Sequence, residues 1–328
     1  MKVNFVGAFN QPGYVGEISD ETHLATNLES YVQVVRIPRD EWREYVIEGS
    51  PKGKYKNVPT DLKADINLIA KWHHFYDGSF IRRLREESGA PVFYWIWDFM
   101  WDQGFPEWHI KMAQEADLYL SGEAGIFDEY KKLGVKPYYF QMDVCDGDLP
   151  NYQTSHKKYD VVFTGSCIGQ GHRKEWLQII DKEVPVKIFG WGHEEWRKLG
   201  LDAEPPVYGA AYNKLISESK VVLGFSAEPN CYGYWSNRVG KVLTAGGFLL
   251  QEYAPGMEWL LPQGIAYFNT PKEAIAKIKY FLVNEEERQR MNRTYRGIQY
   301  TSKIRSGQLA LLMDRYLEGD PAKWNILP

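Results

Sequence analysis

The sequence has few cysteines and no long apolar run. Cys145, Cys167 and Cys231 are the only three cysteines in 328 residues, they lie far apart, and no two of them have the CxxC spacing. A disulfide framework and a zinc site are therefore excluded as the basis of the fold. No run approaches the roughly 18 apolar residues of a membrane span, and residues 1–3 lead into a predicted strand without a signal peptide. We therefore expect a reduced, cytoplasmic protein with no membrane partner.

A large excess of one charge is also absent, although the two halves of the chain differ. The net charge is −4, with 16 Lys and Arg against 24 Asp and Glu in residues 1–150, and 23 against 19 in residues 151–328. An acidic first half excludes a broad nucleic-acid surface there. A basic second half favours a ligand that carries phosphate.

What the sequence does contain is a repeated alternation of apolar runs, glycine-rich or polar loops and helical patterns. The apolar runs predict strands at residues 2–7, 31–36, 64–70, 92–97, 117–121, 137–141, 159–164, 186–189, 221–225, 248–250 and 266–268. This alternation predicts an α/β fold with two Rossmann-like domains and a cleft between them. We place the domains at residues 1–150 and 151–302, and predict that a helix and tail at 303–328 cross back to the first domain.

Residues 221–252 are predicted to form a strand, a loop, a helix and a second strand. In a parallel sheet the loop and the start of the helix lie at the carboxyl edge, where open α/β sheets bind ligands. Ser236, Asn237 and Arg238 stand at this helix start. Free N–H groups, a hydroxyl and a guanidinium suit an anionic diphosphate. The alternative is an ordinary strand–helix–strand unit with a solvated arginine.

A second ligand-edge loop follows the strand predicted at 159–164 and reads GSCIGQGHRKEW. Its glycines allow backbone N–H groups to approach a ligand, and His172 and Arg173 stand at the start of the next helix. Further along, Gly190 and Trp191 begin a segment that we interpret as a flat wall for a nucleobase. The loop lacks the G-x-G-x-x-G spacing of a dinucleotide site.

Two acidic residues in the first half are candidate catalytic groups. Asp98 follows the strand predicted at 92–97 and stands among several tryptophans. A carboxylate beside aromatic rings loses part of its hydration and becomes a better base at neutral pH. The alternative is that Asp98 caps the next turn. Asp20 stands at the start of the first helix, after a pliable loop, and either Asp20 or Ser19 caps this helix.

Residues 159–300 resemble the carboxyl domain of the CgeB-like (spore-protein-type) GT-B glycosyltransferases. The resemblance rests on YDVVFTGS, YNKLISESKVVLGFS and SNRVGKVLTAGGFLLQEY, on PGMEWLLP, and on the helix pair that contains EEER. The opening strand and the helix SDETHLATNLE also resemble the amino domain of phage-type members. The resemblance therefore covers most of the chain.

This resemblance implies an acceptor-side domain at 1–150 and a domain at 151–302 that holds a nucleotide-sugar donor, with no obligatory metal or other cofactor. It implies that Gly165 and Ser166 approach the diphosphate, and that Asn237 and Arg238 bind phosphate or the donor. It also places Asp98 where many inverting GT-B enzymes keep a base. The full predicted donor-binding set is Gly165, Ser166, Arg173, Gly190, Trp191, Ser236, Asn237, Arg238 and Lys241; the predicted catalytic set is Asp98, Arg238 and Asp20.

The sequence departs from the family at two positions. Many members carry an acidic residue three positions after the arginine, where it binds the ribose, and here that position is Lys241. Retaining relatives often carry a second glutamate eight residues after the first, but Ser236 stands eight residues after Glu228. We infer that Lys241 adds charge at the diphosphate and that the ribose is bound elsewhere. The stereochemistry of transfer stays open.

A D-x-D pattern, which metal-dependent glycosyltransferases use, occurs at Asp146 and Asp148. It lies in a linker-like segment before Pro150. A turn is the favoured interpretation of such a segment, and no metal site is predicted.

The sequence therefore predicts a glycosyltransferase that moves a sugar from a nucleoside-diphosphate donor, preferentially UDP-linked, to a hydroxyl acceptor. Asp98 deprotonates this hydroxyl, while Arg238 and Lys241 stabilise the departing diphosphate. The alternatives are a non-catalytic nucleotide-sugar-binding module, a periplasmic-type sugar binder and a sugar-nucleotide epimerase. The oligomeric state is not predicted.

The acceptor is open between 5-hydroxymethyl pyrimidine in duplex DNA, which some phage members glycosylate, and a small molecule, a glycan or a protein. A candidate basic and aromatic footprint for DNA consists of Lys52, Lys54, Tyr55, Lys56, Trp72, His73, Arg82, Arg83 and Arg85. The acidic balance of this half argues against extensive phosphate contact.

Overall fold

The computed structural model describes residues 1–9, 20–49, 55–70, 76–98, 100, 105–141, 156–167, 171–260, 264–294 and 302–319. The strands are β1 (Lys2–Gly7), β2 (Gln33–Pro38), β3 (Ile66–Ala70), β4 (Val92–Ile96), β5 (Leu118–Ser121), β6 (Pro137–Tyr139), β7 (Tyr159–Thr164), β8 (Lys187–Phe189), β9 (Ala203–Glu204), β10 (Ser219–Gly224), β11 (Leu249–Glu252) and β12 (Ile265–Phe268). The helices are α1 (Asp20–Leu28), α2 (Arg39–Glu48), α3 (Gly78–Ser88), α4 (Glu107–Glu115), α5 (Phe127–Lys132), α6 (Gly171–Asp181), α7 (His193–Lys198), α8 (Gly209–Ser217), α9 (Arg238–Thr244), α10 (Met257–Leu260), α11 (Pro271–Val283), α12 (Glu285–Thr294) and α13 (Ser302–Leu317). They form two compact units: unit 1 comprises Met1–Asp143 and Ser302–Pro328, and unit 2 comprises Val144–Thr301.

Unit 1 is built on a six-stranded parallel sheet with the strand order β2-β1-β3-β4-β5-β6. Every residue of the inner strands β3 and β4 is buried. Their nearly continuous apolar sequences reflect this, because both faces of a parallel sheet are covered by helices. Leu24 of α1 and Leu309 of α13 pack on one face, and Trp42 of α2 and Leu84 of α3 pack on the other.

Unit 2 has a second six-stranded parallel sheet, with the order β12-β11-β10-β7-β8-β9. Phe163 of β7 and Leu250 of β11 pack with Ile278 of α11 in its core. Helix α11 begins where Thr270 Oγ1 accepts a hydrogen bond from the Glu273 backbone N–H at 3.1 Å, a typical N-cap. The carboxyl ends of β11, β10 and β7 are adjacent, and they position the candidate site described below.

The predicted α/β fold class is confirmed, and each predicted strand overlaps a strand of the structure. Strand β2 begins two residues later than predicted, because the turn after α1 continues until Val32, whose N–H donates to the Leu28 carbonyl. Helix α9 begins at Arg238, two residues after Ser236, where the predicted helix start begins. It ends before Gly246, whose φ of 76° is readily adopted by glycine. Helices α2, α4 and α7 and the short strand β9 were not predicted.

The structure also bears on the cysteines and on membrane insertion. Cys167 and Cys231 are buried, and Cys145 lies outside the described residues. Within the described ranges, no helix is long and apolar enough to cross a membrane.

Helix α13 belongs to unit 1 although the chain reaches it only after unit 2. Ser306 Oγ donates to the Leu24 carbonyl of α1 at 3.3 Å. Arg305, 6% exposed, donates through Nε (3.1 Å) and Nη2 to the Gln141 carbonyl, two residues beyond β6. Its guanidinium also lies 4.3 Å from the ring centroid of Phe140. This buried arginine ties the helix to the end of the sheet.

Arg305→Ala is expected to lower the free energy of unfolding by about 2–4 kcal/mol. The variant leaves the buried Gln141 carbonyl without these donors and removes the packing of a long side chain. Urea unfolding measures the change. The matched control is Arg82→Ala, which removes an exposed ion pair with Glu115 and should cost less than about 1 kcal/mol. Equal losses in the two variants would contradict the role given to Arg305.

Candidate functional site

A small cavity opens at the carboxyl ends of β7, β10 and β11 in unit 2. It is lined among others by Phe163, Thr164, Gly224, Ser236, Arg238 and Gln251. A Cβ at position 224 would lie 1.9 Å from Oε1 of Gln251, so any larger residue there would displace the end of that side chain. The cavity thus combines an apolar wall with hydroxyl, amide and guanidinium groups, at the edge where open α/β sheets bind ligands.

Arg173, in the first turn of α6, is the most unusual group near this cavity. Its side chain is 4% exposed, and its guanidinium lies 5.6 Å from the ring centroid of Phe163, which lines the cavity. Nη1 donates to the Ser166 carbonyl at 3.4 Å, but Nε is buried and has no hydrogen-bond partner among the described residues. Burial, together with the positive charge of Arg238, lowers the pKa of Arg173 to about 10. The guanidinium is therefore charged, desolvated and incompletely hydrogen-bonded.

Next to Arg173, His172 contacts a buried carboxylate. Glu252, the last residue of β11, is 3% exposed. It accepts a hydrogen bond from the Ser226 backbone N–H at 3.0 Å and lies 3.2 Å from Nε2 of His172. This carboxylate partly offsets the positive charge of Arg173. The sequence interpretation missed Glu252, although its place directly after an apolar strand was a usable signal.

The structure places Ser236, Asn237, Arg238 and Lys241 together, at the start of α9. All four are half-buried. The Arg238 backbone N–H donates to Ser236 Oγ at 3.4 Å, and the Lys241 N–H donates to the Asn237 carbonyl at 3.0 Å. The helix therefore begins at Arg238 rather than at Ser236. Two cations and one hydroxyl of the predicted donor-binding set lie within this one turn.

The glycines of the predicted set have a structural explanation of their own. The Gly165 N–H donates to the Phe189 carbonyl at 3.0 Å, so this N–H is already engaged. A Cβ on Gly190 would lie 1.9 Å from the Gly165 carbonyl oxygen, so glycine allows β7 and β8 to meet closely at their ends. Ser166 is half-buried, and Trp191 beyond β8 is 58% exposed, as a stacking surface requires.

Unit 1 brings Asp98 and Asp20 to the carboxyl edge of its own sheet. Asp98 lies two residues beyond β4, and Asp20 is the first residue of α1, which follows β1. Strands β1 and β4 both flank β3, and parallel strands end at the same edge. Both carboxylates are half-buried. Two acidic groups thus stand near the ends of nearby strands.

The basic footprint proposed for DNA is largely neutralised where it is described. Arg82 pairs with Glu115, and Arg83 pairs with Glu87. Arg85 lies 3.0 Å from Asp117. Tyr55 packs edge-on against Tyr45, and Lys56 is exposed.

Some of the predicted residues lie outside the described residues. They are Lys52, Lys54, Trp72 and His73 of the footprint, and Asp146 and Asp148 of the D-x-D pattern. In the described part of the chain, no group of three His, Cys, Asp or Glu side chains is arranged to hold a metal ion.

Solved structures are similar to this chain over nearly its whole length. The N-terminal domain of trehalose-6-phosphate phosphatase from Candida albicans has a TM-score of 0.66 at 9% identity, covering 96% of both chains. The T4 phage β-glucosyltransferase, a DNA modifying enzyme solved with its substrate UDP-glucose, has a TM-score of 0.59 at 12% identity, covering 99% of this chain and 100% of the other. HepE from Anabaena, solved with UDP-glucose, has a TM-score of 0.59 at 13% identity, covering 98% of this chain and 100% of the other.

The sequence comparisons point in the same direction. The chain matches no curated protein sequence, but residues 173–306 match the glycosyl transferase-like family. The matched residues include Arg173, Glu252, which contacts His172, and the start of α9. The two parallel sheets and the structural similarities establish the GT-B fold, and together with the family match they support a glycosyltransferase.

Proposed function

We propose that this glycosyltransferase transfers a sugar from a UDP-linked donor to a hydroxyl acceptor, and that it is a CgeB-like, phage-type member of the GT-B enzymes. The single observation that carries the donor assignment is the buried guanidinium of Arg173. Its Nε has no hydrogen-bond partner in the part of the chain that the structure describes, and its charge acts together with that of a second arginine, Arg238. Two neighbouring cations are costly to desolvate unless an anion neutralises them. A diphosphate supplies that charge, and the T4 phage and Anabaena proteins bind UDP-glucose.

In this proposal, unit 2 holds the donor. Arg173, Arg238 and Lys241 neutralise the diphosphate, and Trp191 stacks on the base. The remaining predicted contacts to the donor come from Gly165, Ser166, Gly190, Ser236 and Asn237. Charge develops on the β-phosphate oxygen as it leaves, so the two guanidiniums act where stabilisation accelerates the reaction.

The acceptor hydroxyl is activated by unit 1. Its oxygen forms a bond to the anomeric carbon of the sugar, and the bond from that carbon to the β-phosphate oxygen breaks. The electron pair of the broken bond leaves with UDP, and the hydroxyl proton passes to the Asp98 carboxylate. Asp20 is the second carboxylate at this edge and is assigned to hold the acceptor.

For the acceptor we propose 5-hydroxymethyl pyrimidine in duplex DNA as the first candidate, since the T4 phage β-glucosyltransferase is a DNA modifying enzyme. The second candidate is a hydroxyl of a small molecule, a glycan or a protein. One observation favours the second: the arginines of α3 already have carboxylate partners. Few phosphate contacts predict a weak salt dependence of DNA binding.

The experiment is to incubate the protein with a panel of nucleotide sugars and to measure free nucleoside diphosphate, with and without hydroxymethylated duplex DNA. Release of UDP only with the DNA supports transfer to DNA. Slow release without DNA identifies the donor and moves the acceptor to the second candidate. Conversion of the donor without acceptor would indicate an epimerase, and no turnover with tight UDP binding would indicate a binding module.

Arg173→Met is expected to weaken UDP binding about 10- to 100-fold, which corresponds to the loss of one hydrogen bond to a charged group. The same change should raise the free energy of unfolding of the ligand-free protein by about 1 kcal/mol. Methionine fills a similar volume and removes a buried charge. Isothermal titration calorimetry with UDP and urea unfolding measure the two effects.

Arg288→Met is the matched control, since Arg288 is also buried in unit 2 but donates to the Phe281 and Leu282 carbonyls. It should lose about 1–3 kcal/mol of stability and keep its affinity for UDP. If both variants lost stability and neither lost UDP affinity, Arg173 would be a structural residue and the donor site would lie elsewhere.

A further inference from the structure

A continuous hydrogen-bonded network is buried under the helices of unit 1. We call it the buried network; its members are Tyr94, His109, Tyr119, Ser121, Glu123 and Tyr130, none of them more than 1% exposed. Polar groups in an apolar core cost stability unless each finds a partner. A carboxylate and an imidazole at this depth therefore require an explanation beyond packing.

The directions of the hydrogen bonds follow from the single proton of each phenol. The Tyr130 hydroxyl donates to Glu123 at 2.8 Å. Its oxygen must then accept from Nε2 of His109 at 3.1 Å and from the Tyr119 hydroxyl at 3.2 Å. His109 consequently carries its proton on Nε2, and Nδ1 accepts from the Tyr94 hydroxyl at 3.2 Å. Burial lowers the pKa of His109 to about 3, which agrees with a neutral ring.

Each of these hydrogen bonds belongs to a chain of donors and acceptors that ends at Glu123. Its Oε2 accepts from the Tyr130 hydroxyl and from Ser121 Oγ at 3.1 Å. Its Oε1 reaches out of the network and accepts from the Met100 backbone N–H at 2.5 Å. Met100 stands two residues after Asp98 in the segment that follows β4. Glu123 thus connects the buried network to the segment that carries the proposed base.

We propose that Glu123 is a positioning residue that fixes the backbone beside Asp98. The inference rests on the proposed function, in which Asp98 accepts the proton of the acceptor hydroxyl. A base must stand within hydrogen-bond reach of that proton, and a displacement of about 1 Å can cost roughly 100-fold in rate. A charge-assisted bond to a backbone N–H is stronger than a neutral one. Buried ionic groups can often be replaced by apolar packing without loss of stability, and the proposal gives Glu123 a role other than stability.

The test combines two variants of Glu123 with two measurements. Glu123→Leu removes every acceptor and should lower kcat for transfer about 10- to 100-fold, with the Kd for UDP unchanged because unit 2 is untouched. Glu123→Gln keeps an oxygen for the Met100 N–H without the charge, and should lose only about three- to tenfold. Hydrogen exchange of the Met100 amide should be faster in both variants than in the unchanged protein, and faster in Glu123→Leu than in Glu123→Gln.

The matched control is Tyr94→Phe, which removes a hydrogen bond at the far end of the buried network without touching Glu123. It should lose stability but keep kcat and Met100 protection. Combined with Asp98→Asn, Glu123→Leu should lower kcat no further than Asp98→Asn alone, since both act through one group. Full additivity would overturn the proposal.

Unchanged exchange of the Met100 amide in both Glu123 variants would also overturn it, and this measurement needs no substrate. Should Glu123→Leu fail to fold, Glu123→Gln carries both measurements. Should Asp98→Asn leave transfer intact, the proposed base is wrong; amide exchange still reports whether Glu123 fixes this segment, so the two failures are distinguishable.

Discussion

Replacing Asp98 with asparagine is expected to lower the rate of sugar transfer by about 10²- to 10⁴-fold, the range that general base catalysis contributes. Asparagine keeps the size and the hydrogen-bonding capacity of the side chain, but its amide does not accept a proton from the acceptor hydroxyl. Because the donor is proposed to bind unit 2, the Kd for UDP should not change. Release of UDP in the presence of acceptor measures the rate, and calorimetry measures the affinity.

Asp128→Asn is the matched control for Asp98. Asp128 lies on α5 of the same unit, is highly exposed and pairs only locally with Lys131. It removes the same charge from unit 1 and should leave transfer unchanged. Loss of activity in both variants would mean that the net charge of unit 1, rather than one base, controls the reaction. Full activity of Asp98→Asn would transfer the proposed role to Asp20.

Arg238→Ala is expected to lower kcat by about 10²- to 10³-fold, because its guanidinium is proposed to stabilise the charge that develops on the departing diphosphate. The side chain lines the cavity at the carboxyl ends of β7, β10 and β11 and is half-buried, so its removal should leave the fold intact. Circular dichroism checks the fold, and single-turnover kinetics with a UDP-sugar measures the rate.

Arg290→Ala provides the control for Arg238, since Arg290 is an exposed arginine of unit 2 that pairs with Glu287 on α12. Arg290→Ala also removes one guanidinium from unit 2, at a position far along the sequence from the residues that line the cavity. No change in kcat is expected. An Arg238→Ala protein as active as Arg290→Ala would remove the proposed donor site from the start of α9.

The fold could be predicted because parallel strands that are buried on both faces leave a strong signal in the sequence. Strand β4 is a continuous apolar run and most of β7 is apolar. The polar Asp98 follows soon after β4, and Gly165 follows β7 directly. Helix α2 gave no such signal, since its sequence RDEWREYVIE is dominated by charge and only Trp42, Tyr45 and Arg39 are buried. Strand β9 has only two residues, too few for any periodicity.

The candidate site could be predicted only in part, because distance along the chain hides partners. The polar residues at the strand ends were visible, and so was the arginine at the start of α6. That Arg173 is buried and incompletely bonded depends on the packing around Phe163. The contact between His172 and Glu252 spans 80 positions. The pairing of Arg82 with Glu115 spans 33 positions and that of Arg85 with Asp117 spans 32. Two of the three arginines that looked like a basic surface are thus neutralised by carboxylates from a later segment, and Arg83 pairs with Glu87 on its own helix.

Helix α13 has a consequence for how the protein is made on the ribosome. It covers the face of unit 1 that carries Leu24 and Leu28, yet roughly 160 residues of unit 2 are translated between Asp143 and Ser302. At synthesis rates of about 5–20 residues per second, that apolar face waits roughly 8–30 s for its cover. Unit 2 can complete its own core before α13 is made. Until then, the uncovered apolar face of nascent unit 1 is the part that a chaperone or a protease would bind. The unit that leaves the ribosome first is finished last.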